Sequence, residues 1–283
     1  MTFRWAAACV CRHDYNRRRI PLASPTQPVS FMFVHRLAKA SIVPSAMSLV
    51  AATIVGLACP SLRAEDPPAV PVDSLVLFAE DADFEKWTGD RKRWRVENDT
   101  IFGESPEGDL IPEHTYLIFE GQQFGDFELT ARFKIEGGNS GIQYRSKIVN
   151  PTKFKVAGYQ ADIDAGNRFA GILYEQDGRG IMARRGESVT VSDAGEKEIN
   201  RFGDATEIGR GIHPGQWNDY RIVARGNTLE HYINGALTAR VIDGQSEKAA
   251  DKGLVALQLH PGPPMVVQFR NIVVREGSAN SDD

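Results

Sequence analysis

Between Phe127 and Ile135, apolar Phe127, Leu129, Ala131, Phe133 and Ile135 alternate with polar Glu128, Thr130, Arg132 and Lys134. A period of two places all five apolar side chains on one face of an extended strand, whereas a helix would scatter them around its circumference. The same alternation recurs over residues 94–97, 116–120, 141–147, 158–163, 171–174, 217–225, 228–233, 236–242, 253–259 and 265–275. No segment after Asp73 keeps an apolar 3.6-residue period for three turns. A chain of this kind must bury one face of many short strands, which a two-sheet sandwich does. Ile233-Asn234-Gly235-Ala236 is the strongest turn signal, since Asn-Gly supplies the two positive φ angles of a type I′ hairpin. Residues 176–215, rich in Gly, Arg, Glu and Asp with only a brief apolar run at Ser188–Val191, read as one elaborated loop at the rim.

The first 64 residues follow another pattern. They hold eight of the chain's 33 Lys and Arg but only one, Asp14, of its 37 Asp and Glu. Arg36 and Lys39 precede a largely apolar stretch, Ile42 to Cys59, and Ser61-Leu62-Arg63-Ala64 offers a small residue at a cleavage point. This is the layout of an export signal cut after Ala64. An uncleaved anchor is the rival reading, set against by Pro44, Ser45, Ser48 and Gly56 within the stretch. Met32 and Met47 are alternative starts. Residues 65–73 form a proline-rich spacer, residues 74–276 a single β-sandwich domain, and residues 277–283 a disordered tail. The expected location is outside the cytoplasm: secreted, periplasmic or on the cell surface. Membrane contact is expected only through the leader.

Composition removes several function classes. The part after residue 64 is distinctly acidic, so it lacks the concentrated basic surface that nucleic acid requires. Cys9, Cys11 and Cys59 all lie in the leader, which leaves no thiolate nucleophile, disulfide or cysteine metal ligand in the domain. Core burial alone has to hold it together.

Parity then identifies the side chains opposite the core. Gln143 and Arg145 share one face of their run, Gln160, Asp162 and Asp164 share one face of theirs, and Gln258 and His260 share one face of Val255–His260. Glu128 and Arg132 follow the same rule. These are the planar hydrogen-bonding and ionisable groups that grip sugar hydroxyls. Asn139-Ser140-Gly141 either joins that set or forms a hairpin turn.

A series of motifs carries a family resemblance. Gly125-Asp126-Phe127-Glu128-Leu129, Gly138-Asn139-Ser140-Gly141, Gly158-Tyr159-Gln160, Gly171-Ile172-Leu173-Tyr174, Trp217-Asn218-Asp219-Tyr220, Ile233-Asn234-Gly235, Leu257-Gln258-Leu259-His260 and Val267-Gln268-Phe269-Arg270-Asn271-Ile272 occur in this order. Over residues 75–276 the chain resembles the 3-keto-disaccharide hydrolase domain family, formerly a domain of unknown function. The resemblance implies a concanavalin A-like jelly roll whose concave face binds carbohydrate, exported and acting on glycosides oxidised at C3. Many members carry Glu where this chain has Gln160, so no carboxylate role transfers to that position.

A ketone at C3 acidifies the C2 proton and opens a route to loss of the C1 substituent. Such a reaction needs a base near C2 and a group to hold the enolate oxygen, not the paired carboxylates of ordinary glycosidases. His260 is the first candidate base, followed by Asp164 and Glu128. Arg145 is the candidate for the enolate oxygen, and Gln143, Gln160, Asp162, Asn139 and Gln258 are candidates for binding the sugar. No cofactor is announced with certainty by the sequence. A divalent cation held by Asp, Glu and His would also steady the enolate, although no ligand spacing in the sequence announces one. Two rivals remain: a carbohydrate-binding module without turnover and a surface adhesion domain.

Overall fold

Short one-sided strands must find partners far along the chain. A computed structural model describes residues 73–277 and shows how they do so. The strands are β1 (Ser74–Phe78), β2 (Trp87–Thr88), β3 (Trp94–Val96), β4 (Ile101–Ser105), β5 (Thr115–Phe119), β6 (Phe127–Glu136), β7 (Asn139–Asn150), β8 (Lys155–Asp164) and β9 (Leu173–Gln176). They continue with β10 (Gly180–Ala183), β11 (Glu187–Val191), β12 (Lys197–Arg201), β13 (Asn218–Arg225), β14 (Thr228–Ile233), β15 (Ala236–Asp243), β16 (Leu254–Leu259) and β17 (Met265–Glu276). A ten-stranded sheet runs β12-β11-β15-β14-β13-β6-β17-β4-β3, with β1 also paired to β17, and a seven-stranded sheet runs β10-β9-β8-β7-β16-β5-β2. The domain is the all-β sandwich that the alternation requires. The expected leader, most of the expected spacer and most of the expected tail lie outside the described residues.

The inward set of β6 lies in one core with Ile142 and Tyr144 of β7, Tyr159, Ala161 and Ile163 of β8, and Val255, Leu257 and Leu259 of β16. Each large buried side chain contributes about 1.5–3 kcal/mol by leaving water. Between β6 and β7, Gly137 and Gly138 adopt φ of 69° and 63° and carry the chain from one sheet to the other. That places the turn ahead of Asn139-Ser140-Gly141, which begins β7. The Asn234-Gly235 turn has φ of 50° and 81° and closes the β14–β15 hairpin with Ile233 opposite Ala236.

Residues 176–215 differ from the loop expected. They contain β10, β11, β12 and a short helix, α1 (Ala205–Arg210). β11 runs parallel to β15, a partner some 50 residues away, so no local turn signal marks it. Asp204 caps α1 by accepting hydrogen bonds from the N–H groups of Thr206 and Glu207 at 2.8 and 3.0 Å. Trp217 is only half-buried and lies beneath the Arg270 guanidinium at 4.2 Å, while Phe269 is fully buried.

Candidate functional site

β8 organises the site, because its alternation sends Tyr159, Ala161 and Ile163 into the core and turns Gln160, Asp162 and Asp164 to the open face. Antiparallel pairing with β7 sets Gln143 opposite Gln160, Gly141 opposite Asp162 and Asn139 opposite Asp164. Gly141 provides the room for this packing: a Cβ there would fall 2.6 Å from Cδ of Gln160.

These side chains form a directed chain of hydrogen bonds. Ser146 Oγ donates to Gln143 Oε1 at 2.8 Å, and Gln143 Nε2 donates to Gln160 Oε1 at 2.7 Å. Gln160 Nε2 donates to one oxygen of Asp162 at 3.2 Å, and Asn139 Nδ2 donates to the other at 2.6 Å. Asp162 is only 5% exposed. Burial pushes its carboxyl up to about 8, against the lowering effect of Asn139 and Gln160, and the charge of Asp164 adds to the rise. At neutral pH Asp162 is therefore mostly a carboxylic acid.

Asp162 lines a cleft of about 730 Å³, within the range of small-ligand sites. Phe169, Ile172, Tyr174 and Ile181 form its apolar walls, and Asn139, Gln160, Gln176 and Gln258 add hydrogen-bonding groups. Asp164 lines it too, but its carboxylate accepts from the backbone N–H of Gly166 at 3.2 Å, Arg168 at 2.7 Å and Phe169 at 2.9 Å. It shapes the loop that presents Phe169.

On the far side, His260 follows β16 and His114 precedes β5, neighbouring strands of the sheet. Their rings meet edge to face, with centroids 4.6 Å apart at 89°. His260 Nδ1 lies 2.6 Å from the Pro261 carbonyl oxygen. Gln258 Nε2 lies 3.1 Å from the Tyr116 hydroxyl, 3.3 Å from His114 Nδ1 and 3.5 Å from Gln176 Oε1. Burial, followed by the neighbouring His260, lowers the His114 pKa.

Six of the nine residues expected at the site line the cleft: Asn139, Gln160, Asp162, Asp164, Gln258 and His260. Gln143 stands one step behind, fully buried and bonded to Gln160. Arg145 is corrected. It has φ of 44° at a bulge in the β7–β8 pairing, which breaks the parity of its strand. Its guanidinium binds the carbonyl oxygens of Gly125 and Gly226 and the carboxylate of Asp126, apart from the cleft. Glu128 is corrected as well. It belongs to β6 of the ten-stranded sheet, beside Arg221 and Arg275, because parity fixes the face of a strand but not its sheet. His114, Tyr174 and Gln176 were not legible as site residues, since only the order β9-β8-β7-β16-β5 brings them there. Among the described residues no group of three or more His, Cys, Asp or Glu side chains gathers as a metal site.

Residues 73–275 match the family described as the 3-keto-alpha-glucoside-1,2-lyase-like domain. The chain belongs to this family. No curated protein matches the chain. Among solved structures, a Parabacteroides distasonis protein provisionally assigned as a glycosyl hydrolase is 17% identical, with 72% of this chain and 98% of that one covered and a TM-score of 0.48. The carbohydrate-binding module CBM66 from Bacillus subtilis is 15% identical, with 68% and 96% covered and a TM-score of 0.44. A Bacillus subtilis protein of unknown function with a galectin-like fold is 11% identical, with 70% and 93% covered and a TM-score of 0.47.

Proposed function

We propose that this protein cleaves glycosides oxidised to a ketone at C3, with the sugar held in the cleft on the seven-stranded sheet. The observation that carries this reading is the meeting, within one cleft, of a buried carboxyl, Asp162, held by Asn139 and Gln160, with an imidazole, His260; burial raises the pKa of that carboxyl. Family membership supports the substrate class. A carbonyl oxygen can only accept a hydrogen bond, so in the neutral ring of His260 the contact with Pro261 places the proton on Nδ1 and leaves Nε2 as the basic nitrogen.

In the reaction, Nε2 of His260 takes the proton from C2 and the C2–H electron pair passes into the ketone, giving an enolate at C3. As the ketone re-forms, that pair makes a C1=C2 double bond and the bond from C1 to the leaving oxygen breaks. The Asp162 carboxyl donates its proton to that oxygen. Water adding across C1=C2 would complete a net hydrolysis. Asn139 and Gln160 hold the Asp162 carboxyl in place, and Phe169 and Tyr174 offer apolar surface to the sugar ring.

The test is release of nitrophenol from a 3-keto nitrophenyl glucoside by the purified protein. His260→Ala should lower the rate at least about tenfold and Asp162→Asn by a similar factor. Calorimetric binding of the sugar with no product, with or without added divalent metal, would establish a binding module instead.

A further inference from the structure

We propose that His114, as a neutral imidazole, donates the hydrogen bond that holds the C3 oxygen of the substrate while His260 removes the C2 proton. This rests on the reading of the protein as an enzyme acting on 3-keto-glycosides. It also fills the role that Arg145 does not: with that guanidinium bound to Gly125, Gly226 and Asp126, the enolate has no other assigned donor.

The amide contacts beside His114 bear on its tautomer. Gln176 Nε2 donates to a carboxylate oxygen of Asp177 at 2.8 Å, and a carboxylate can only accept, so the other end of the Gln176 amide, Oε1, faces Gln258. That oxygen also only accepts, so the group opposite it must be the Gln258 amide nitrogen, at 3.5 Å. The same nitrogen faces His114 Nδ1 at 3.3 Å. It faces the Tyr116 hydroxyl too, at 3.1 Å, so the two hydrogens of the amide serve three neighbours, while Gln258 Oε1 has no partner among the described residues; in the proposal Nδ1 accepts one of those hydrogens, and the proton of the neutral ring sits on Nε2.

In the neutral ring of His260 the proton lies on Nδ1, against the Pro261 carbonyl. The two rings thus bring complementary atoms to one cleft: a donor at Nε2 of His114 and an acceptor at Nε2 of His260. Among the described residues no protein group hydrogen bonds to either Nε2. The rings touch edge to face, and the reaction needs its base and its donor on adjacent sugar carbons.

A neutral imidazole suits the task, since it polarises a ketone without giving up its proton. Burial and His260 both disfavour the imidazolium form of His114, opposed by Asp177 and Glu113, with Lys155 adding to the disfavour. Glu113 is itself paired with Lys153 and Lys155. In the step, the C2–H bond breaks, the proton passes to His260, and the electron pair moves into the C3 carbonyl oxygen. The His114 N–H bond strengthens as that oxygen gains charge and relaxes when the ketone re-forms, so His114 neither gains nor loses a proton. Gln258 is a positioning residue that keeps Nδ1 of His114 free of its proton.

The experiment uses the full chain and 1,5-anhydro-3-keto-glucitol, which has no glycosidic substituent at C1 and so reports enolisation without its release. Exchange of its C2 hydrogen in deuterated water is followed by proton NMR. The wild type should exchange it, and His114→Ala should slow exchange at least about 100-fold, with less than about a threefold change in KM. His114→Gln keeps an N–H donor and should stay within about tenfold of wild type. Nitrogen-15 spectra of histidine-labelled protein should show pyridine-type nitrogen at Nδ1 of His114 and Nε2 of His260. Gln258→Glu, whose carboxylate accepts from Nδ1, should reverse the His114 tautomer and slow exchange. Unchanged exchange in His114→Ala, or a proton on Nδ1 of His114 in the wild type, overturns the proposal and leaves the enzyme reading standing. A folded wild type that neither exchanges C2 nor releases nitrophenol removes both.

Discussion

Replacing Asp162 by Asn should stabilise the protein at alkaline pH and destabilise it at acid pH. The Asp162 carboxyl has a folded-state pKa raised to about 8 by burial, so between pH 4 and 8 the folded chain binds a proton that the unfolded chain has released. Stability therefore falls as pH rises through that window. Four units at about 1.4 kcal/mol each give a loss of about 5–6 kcal/mol once Asp162 is fully ionised. Asparagine never ionises and escapes that loss. Its NH₂ group, however, must face one of the two donors, Asn139 Nδ2 or Gln160 Nε2, at a cost of about 1–3 kcal/mol at every pH. The difference is a net gain of about 2–5 kcal/mol at pH 9 and a net loss of about 1–3 kcal/mol at pH 4. For a chain of this size each kcal/mol moves Tm by about 2–4 °C. Thermal unfolding of both proteins by circular dichroism across pH 4–9 should show the two Tm curves crossing. A Tm difference that stays constant with pH would refute the burial argument. A stabilising substitution that also lowers activity would mark Asp162 as a site residue retained against stability.

Three further outcomes follow from the structure. His231 is fully buried between the hydroxyl of Tyr144 and the carbonyl of Ile172, and burial lowers its pKa to about 3. The unfolded chain binds that proton first, so stability should fall as pH drops from about 6.5 to 3, and urea titrations of His231→Gln should show a shallower acid slope. Gly141→Ala should push Gln160 out of line, lowering sugar affinity in calorimetry and stability by about 1–3 kcal/mol. Arg145→Met should destabilise by about 2–4 kcal/mol in urea unfolding, because the carbonyls of Gly125 and Gly226 lose their donor. Its kcat on the folded protein should stay at the wild-type value, as expected for a residue outside the cleft.

The sandwich was legible because alternation is local: Phe127 to Ile135 states its own buried face, and Asn234-Gly235 states its own turn. Parity along single strands also placed Gln160, Asp162 and Asp164 together, and Gln258 with His260. What sequence could not supply was strand order. Glu128 obeys the same parity as Gln160 yet faces outward from the other sheet, and His114 reaches the cleft only because β5 pairs with β16. Arg145 was misplaced for a different reason, since the bulge at its left-handed backbone leaves no trace in the alternation. β11 was hidden by its parallel pairing with a distant strand.

The central claim concerns a cleft that acts on an oxidised sugar, and proton NMR of the purified protein with a 3-keto-glycoside and with its unoxidised parent tests it most directly. The account predicts loss of the C2 proton signal and release of the C1 substituent from the ketone alone, with the parent glycoside intact. Equal cleavage of both, or cleavage of neither by folded protein, would contradict it.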